Sequence, residues 1–122
     1  MWIFLACPAP GGGRPIDRFV SELEDESVNE FAAVLEGLQC LERHQWKRPQ
    51  FDLLNDGIGE IRFNGDDKTY RVFGYFGPRR KHFTMLIACA KKSSLKEEMK
   101  QAVQRKKFAE QSEGLLYEFT FE

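Results

Sequence analysis

Three runs of apolar and aromatic residues follow one another within residues 59–90, and only short polar connections separate them. The runs cover residues 59–63, 69–76 and 82–90, and the connections read NGDDK and GPRRK. Connections this short join strands that run in opposite directions, because a parallel pair needs a crossover of about a dozen residues or more. The segment therefore predicts an antiparallel three-stranded meander. The other strands and the helices have to pair with this sheet or pack on it.

Two amphipathic helices are predicted before the meander. Residues 2–6 form an apolar run typical of a buried strand, and a Pro/Gly-rich loop follows it. Helical spacing then extends over residues 16–23. A second helix is predicted over residues 28–43, behind a capping box formed by Ser27 and Glu30.

One further helix and a last strand are predicted after the meander. Ser94 and Glu97 form a capping signature for a helix over residues 95–111, and the alternation of residues 116–121 indicates a strand. Residues 44–57 show no clean period and are predicted to be irregular. The pattern predicts an α+β fold, with a twisted, mostly antiparallel sheet, two N-terminal helices and one C-terminal helix.

The length of 122 residues suits one domain, residues 1–122, with residues 112–122 as an extra strand-like tail. No stretch approaches the roughly 20 apolar residues that span a bilayer. The cysteines, Cys7, Cys40 and Cys89, are odd in number and widely spaced, which is typical of reduced thiols in a cytoplasmic protein. We expect a cytoplasmic globular protein.

The net charge of −1 conceals an asymmetry along the chain. Residues 1–61 carry 5 Lys/Arg and 11 Asp/Glu, whereas residues 62–110 carry 13 Lys/Arg and 5 Asp/Glu. Basic residues that converge on one face would form a site for a polyanion such as RNA. A solvated surface without a partner is the alternative.

Arg62 and Arg71 lie in the middle of two predicted strands. Pairing the apolar positions across this hairpin places Arg62 opposite Arg71 on one face, where like charges cost about 0.2–1 kcal/mol. A bound anion would explain the arrangement, and Phe73 and Tyr75 on the same face suggest base stacking with RNA. The alternative is that Arg62 pairs with Glu60 or with an acidic residue of the helices.

Other candidates lie nearby in the sequence. Lys91 and Lys92 end the third strand, and Glu60 is a candidate general base or an orienting partner for Arg62. Asp66 and Asp67 belong to a turn, where Asp is favoured, so neither is expected to bind metal. The candidate RNA-binding residues are Tyr75, Phe73, Arg79, Arg80, Lys81 and His82.

The order of these motifs resembles the RelE/HigB toxin superfamily, in particular its phage-derived HigB-type branch. The resemblance rests on GGGRPIDRFVSEL, GIGEIRF, KTYRVFGYF and a strand that ends in AKKSS, and it covers about residues 2–110. It implies a RelE-like fold and a metal-independent mRNA endoribonuclease of a type II toxin–antitoxin system, without a cofactor. Arg62 and Arg71 would hold the scissile phosphate, and Lys91 and Lys92 would act as an acid or as a charge clamp.

The resemblance also implies partners. These are a cognate antitoxin with a helix-turn-helix domain and mRNA, in many relatives on the ribosome. Residues 114–122 of the tail are expected to add a strand to a sheet edge, either in their own chain or in a neighbouring copy, and the second case would give a homodimer through the C-terminal strand.

The sequence departs from the superfamily in two places. Ile87 stands where many HigB-type relatives have histidine, and the start of the last helix lacks the tyrosine of RelE-type members. The general base is therefore unassigned. Two alternatives follow: a non-catalytic, ParE-like toxin that inhibits DNA gyrase, or an inactivated member that only binds RNA or a partner.

Overall fold

The computed structural model describes residues 1–65, 67–91 and 94–121. Within these residues the chain forms one six-stranded sheet and three α-helices, an α+β fold compatible with a RelE-like fold. The strands are β1 (Ile3–Ala6), β2 (Phe51–Leu53), β3 (Gly59–Asn64), β4 (Thr69–Phe76), β5 (His82–Ala90) and β6 (Tyr117–Glu118). Their order in the sheet is β2-β3-β4-β5-β1-β6.

The meander of β3, β4 and β5 confirms the prediction from the short connections. Arg62 lies opposite Arg71, and Phe63 lies opposite Tyr70. The N-terminal strand β1 is the exception to the antiparallel pattern, because it pairs in parallel with β5. A bulge in β5 opposite the Phe73/Gly74 step shifts the register there by one residue.

The helices are α1 (Pro15–Ser21), α2 (Asp25–Gln39) and α3 (Lys96–Gln111). The predicted cap at Ser27 is wrong, because α2 begins at Asp25, three residues before the predicted start, and Ser27 is buried within the helix. Acidic Asp25 and Glu26 occupy the first turn, where carboxylates are favoured by the helix dipole. The end of α2 also comes earlier than predicted. There the N–H of Trp2 donates to the carbonyl of Gln39 at 3.1 Å.

Helices cover both faces of the sheet. Apolar residues of α1 and α2, such as Ile16 and Phe31, pack with one face of the sheet around Phe63 and Val72. On the other face, Phe73, Tyr75, Leu86 and Ile87 pack with Ala102 and Ala109 of α3. A sheet buried on both faces has strands that are apolar almost throughout, and β5 reads in this way.

The segment between α2 and β3 is more ordered than its sequence suggested. It contains β2, which pairs antiparallel with β3, and it buries Trp46 and Phe51. A three-residue strand is too short to show an alternating pattern, so no periodic signal marks it in the sequence.

The C-terminal tail adds a strand to the sheet of its own chain. In β6, Tyr117 pairs with Ala6 and Glu118 pairs with Leu5. The ring of Phe121 then contacts that of Phe31 of α2, with centroids 5.4 Å apart. β6 thus covers the edge of β1.

Within the described residues, no helix has the length and apolar character needed to cross a membrane.

A close backbone approach at Gly74 in the meander predicts a matched pair of effects on stability. A Cβ added to Gly74 would lie 2.3 Å from the backbone oxygen of Thr84, whereas a Cβ at Gly37 of α2 meets no atom within 4 Å. We expect Gly74→Ala to lower the free energy of unfolding by about 2 kcal/mol through overpacking. Gly37→Ala should raise it by roughly 0.5 kcal/mol, because glycine is a poor helix former. Urea denaturation measures both, and a neutral Gly74→Ala would contradict the close approach.

Candidate active site

A single buried carboxylate holds the two arginines of the hairpin side by side. Oε1 of Glu60 accepts a hydrogen bond from Nε of Arg62 at 2.5 Å, and Oε2 accepts one from Nη1 of Arg71 at 2.9 Å. Glu60 has no exposed surface, whereas 28% of the Arg62 side chain and 15% of the Arg71 side chain are exposed. The pairing therefore offsets the repulsion between the two guanidinium groups and fixes where each one points.

The ion pairs continue toward the edge of the sheet. Oδ2 of Asp52 on β2 accepts from Nη2 of Arg48 at 2.9 Å and from Nη2 of Arg62 at 3.4 Å. The hydrogen bond from Arg48, together with the positive charges of Arg48 and Arg62, lowers the pKa of Asp52. Cations and carboxylates thus alternate across β2, β3 and β4, with Arg71 at the inner end.

This geometry gives Glu60 an orienting role. The sequence left open whether Glu60 acts as a general base or as a salt-bridge partner of Arg62. Both of its oxygens already accept hydrogen bonds from arginine N–H groups, so the structure favours the salt-bridge partner. The buried Nε of Arg71 has no hydrogen-bond partner among the described residues, and 15% of the Arg71 side chain is exposed to solvent.

Lys91 lies at the same end of the sheet as the arginine pair. Arg71 pairs with Cys89 across β4 and β5, and the backbone N–H of Lys91 donates to the carbonyl of Thr69 at 2.7 Å. Lys91 is exposed. The other strand-end lysine, Lys92, lies outside the described residues.

The two aromatic residues that were expected to stack with RNA bases are buried. Phe73 is 0% exposed and Tyr75 is 4% exposed, because both rings pack under α3. This corrects the expectation of exposed rings on the arginine face. The sequence did hold a signal, since the apolar stripe of the last helix, with Met99 and Ala102, requires an apolar sheet face to cover.

The basic turn between β4 and β5 lies away from the arginine pair. Arg79, Arg80 and Lys81 follow the end of β4, whereas Arg71 lies near its beginning. Phe76 lies five residue steps after Arg71, or about 17 Å at the usual rise along a strand. His82 is half-buried, and its Nδ1 is buried without a hydrogen-bond partner among the described residues. The candidates named from the sequence therefore divide between two ends of the sheet.

Within the described part of the chain, no three His, Cys, Asp or Glu side chains are grouped so that they could hold a metal ion. Asp67 belongs to the turn after β3, with a φ of 57°, and Asp66 lies outside the described residues.

The assembled groups suit the binding of a phosphate. Arg62 and Arg71 present oriented N–H donors, and Lys91 supplies a further charge at the same end of the sheet. Arginine donors in a fixed arrangement match the oxygens of a phosphate, and they stabilise negative charge that develops on it. Sequence reasoning found all three residues, but it missed Arg48 and Asp52, which complete the ion-pair network around Arg62.

The buried carboxylate predicts a large difference between two similar substitutions. Glu60→Gln should lower the free energy of unfolding by about 2–3 kcal/mol, because it removes the common acceptor of two largely buried arginines. Asp52→Asn is the matched control and should cost less than about 1 kcal/mol, because its partner Arg48 is mostly exposed. Equal losses in urea denaturation would argue against Glu60 as the organising residue.

Burial of the Tyr75 hydroxyl predicts a late ionisation. Burial raises the pKa of Tyr75 to about 12. An ultraviolet absorbance titration of the folded chain should show a phenol ionising near pH 12 that is missing in Tyr75→Phe, and Tyr70→Phe serves as control. Because an unfolded tyrosine ionises near pH 10, the free energy of unfolding should fall between about pH 10 and 12 more steeply in the wild type than in Tyr75→Phe. Ionisation of that phenol already near pH 10, with the fold intact by circular dichroism, would contradict the burial.

Comparison with known proteins gives one family. The family model described as phage derived protein Gp49-like (DUF891) matches residues 18–109, about three quarters of the chain. The matched segment contains the whole meander and the arginine pair. A comparison with curated proteins finds no match. The chain therefore belongs to the Gp49-like phage-derived family, a RelE/HigB-like toxin family.

Proposed function

We propose that this chain is a HigB-type toxin of a type II toxin–antitoxin system, and that it cleaves mRNA without a metal ion. The observation that carries the proposal is the arrangement of Arg62 and Arg71, which one fully buried carboxylate fixes side by side. Such an arrangement has no stability advantage over neutral strand residues, but it matches the oxygens of a phosphodiester. The family supports a toxin in general, and the nuclease activity is our inference from the site.

In the proposed reaction, the RNA supplies its own nucleophile. A ribose 2′-hydroxyl attacks the adjacent phosphorus atom and loses its proton to water, while the bond from phosphorus to the 5′-oxygen breaks. The 5′-oxygen takes up a proton from a strand-end lysine, Lys91 or Lys92. The products are a 2′,3′-cyclic phosphate and a free 5′-hydroxyl.

Arg62 and Arg71 act in this reaction through charge and position. Their N–H groups bind the non-bridging oxygens of the phosphate, on which negative charge increases in the transition state. Glu60 holds both guanidinium groups before substrate arrives, so little reorganisation is needed at the moment of reaction. The network of three arginines and two carboxylates keeps one net positive charge, and Lys91 adds another.

A second candidate is a ParE-like toxin that binds DNA gyrase and cleaves nothing. Burial of Phe73 and Tyr75 favours it, because it removes the stacking platform that RNA recognition would use. Ile87, at the place of the histidine of many HigB-type relatives, is also buried, at 6% exposure. The arginine pair favours the nuclease, because a protein-binding toxin has no evident use for it.

The proposal includes partners and a location. We propose a cytoplasmic toxin, neutralised by a small helix-turn-helix antitoxin and acting on mRNA, on or off the ribosome. A homodimer through the C-terminal strand stays a prediction. In this structure β6 pairs with β1 of its own chain, so a dimer of that kind would have to replace this pairing.

Induced expression in a bacterial host tests the activity. Wild type should arrest growth and create new mRNA 5′ ends that carry a hydroxyl. Arg71→Ala should reduce cleavage about 10²- to 10³-fold, the usual cost of removing one donor to a developing oxyanion. The double variant Lys91→Ala/Lys92→Ala should also lose cleavage. Lys100→Ala removes an exposed cation of α3 and should cleave as wild type does.

The other results are equally informative. Growth arrest without new 5′ ends would reject the nuclease in favour of a binding toxin such as a gyrase inhibitor. Absence of arrest, with the protein present in the soluble fraction, would identify an inactivated family member.

A further inference from the structure

Two basic segments that are distant in sequence meet beside the turn between β4 and β5, and the first of them ends at Arg48, which shares Asp52 with Arg62 of the arginine pair. The segments are residues 43–48 and residues 79–81. Nζ of Lys81 lies 3.3 Å from a carboxylate oxygen of Glu42, which precedes the first segment. The guanidinium carbon of Arg43 lies 4.1 Å from the ring centre of Phe76, which precedes the second. These contacts hold the two segments together as one surface.

The turn that carries the second segment has a defined backbone. The N–H of Gly77 donates to the carbonyl of His82 at 3.0 Å, and the N–H of His82 donates to the carbonyl of Arg79 at 3.1 Å. Lys81 adopts a left-handed conformation with a φ of 64°. The hydroxyl of Thr84 donates to the carbonyl of Gly77 at 2.8 Å. The turn therefore presents Arg79 and Arg80 to solvent from a hydrogen-bonded base.

The surface carries a strong positive charge in a chain whose net charge is −1. We call it the basic surface, and its residues are Arg43, His44, Lys47, Arg48, Arg79, Arg80 and Lys81. Two carboxylates pair with it, Glu42 with Lys81 and Asp52 with Arg48. Its six lysines and arginines thus exceed these partners by four charges. A local excess of this size attracts polyanions.

The basic surface is connected to the arginine pair. Arg48 shares the carboxylate of Asp52 with Arg62, so positive side chains continue from the basic surface to the candidate active site. The distance from the basic turn to Arg71 is at least about 17 Å along β4. A ligand that contacts both ends needs negative charges repeated along its length. The RNA backbone has this property, whereas a small anion does not.

We propose that the basic surface binds the sugar–phosphate backbone of RNA, away from the scissile phosphate. The choice of RNA as the ligand rests on the proposed function. Lys47, Arg79 and Arg80 are the exposed contacts to phosphate, and Arg48 links them to the arginine pair through Asp52. Arg43 is partly buried over Phe76 and supports the surface from beneath. The basic surface supplies affinity, and the arginine pair supplies the chemistry.

Binding of an uncleavable RNA tests this assignment. The probe is a short, fluorescein-labelled single-stranded RNA in which every 2′-hydroxyl is methylated, and fluorescence anisotropy follows binding over a series of salt concentrations. Arg79→Gln/Arg80→Gln should weaken binding roughly tenfold. It should also make the dependence of binding on salt less steep. The slope of the logarithm of the association constant against the logarithm of the salt concentration should become less negative by about 0.7 for each phosphate that the variant no longer neutralises. Lys47→Gln should act in the same direction with about half the change in slope.

The matched control removes two cations elsewhere. Lys100→Gln/Lys107→Gln changes the net charge by the same amount on the exposed side of α3. It should change the affinity by less than about twofold, since these lysines make no proposed contact. Equal weakening by the control and by Arg79→Gln/Arg80→Gln would overturn the proposal, because only the total charge would then matter. Displacement of the RNA by polyglutamate at equal charge concentration would overturn RNA as the ligand in favour of an acidic protein.

The two proposals fail in different ways. If wild type cleaves mRNA in cells but Arg79→Gln/Arg80→Gln binds the probe as wild type does, the basic surface is refuted and the nuclease stands. If the probe binds through the basic surface but wild type creates no new 5′ ends, the nuclease is refuted and the RNA surface stands. Arg71→Ala should keep most of the affinity for the probe while it loses cleavage, and that combination supports both.

Discussion

The carboxylate of Glu60, buried between two arginines, stabilises the pairing of β3 with β4 on which the candidate site depends. Arg62 and Arg71 lie directly opposite each other on β3 and β4, and without a shared acceptor they would repel at close range. A shift of one strand by one residue would separate them, but it would also turn Phe63 or Tyr70, whichever lies on the shifted strand, away from the helices. Glu60 removes this conflict. Its carboxylate pairs with both arginines, so the register that packs Phe63 and Tyr70 against the helices no longer leaves two like charges unpaired.

A second apolar layer lies on the sheet face that carries Glu60, which is paired with Phe73 across β3 and β4. On this face Phe73 and Tyr75 pack with Ala102 and Ala109 of α3. Charge pairs in such a setting are screened less by solvent than those at an open surface. The arginine face is therefore part core and part site. The aromatic residues belong to the core, and the guanidinium groups lie at its boundary with solvent.

The sequence predicted the meander, its register and the position of the arginine pair because these follow from local rules. Connections too short for a crossover fix strand direction, and alternation fixes the face of Arg62 and Arg71. Burial of Phe73 and Tyr75 could not be read from alternation alone, because it depends on where α3 packs after the meander has formed. The three-residue strand β2 and its Asp52 had no periodic signal. The start of α2 at Asp25 was missed because two overlapping signals, a capping box and an acidic first turn, competed for the same helix end.

The parallel pairing of β1 has a consequence for the order of folding during synthesis. Ile3 pairs with His82, and Leu5 pairs with Glu118. The first strand to be synthesised therefore has one partner nearly eighty residues later in the chain and another more than one hundred residues later. Contacts of such high sequence separation slow folding, because a long loop must close before they form. While a ribosome is still translating residues before β5, β1 has no partner in the sheet. The hairpin that carries the arginines can pair earlier, but its supporting layers are completed only when α3 has emerged. The candidate site is therefore complete only after α3, near the end of the chain, has been synthesised.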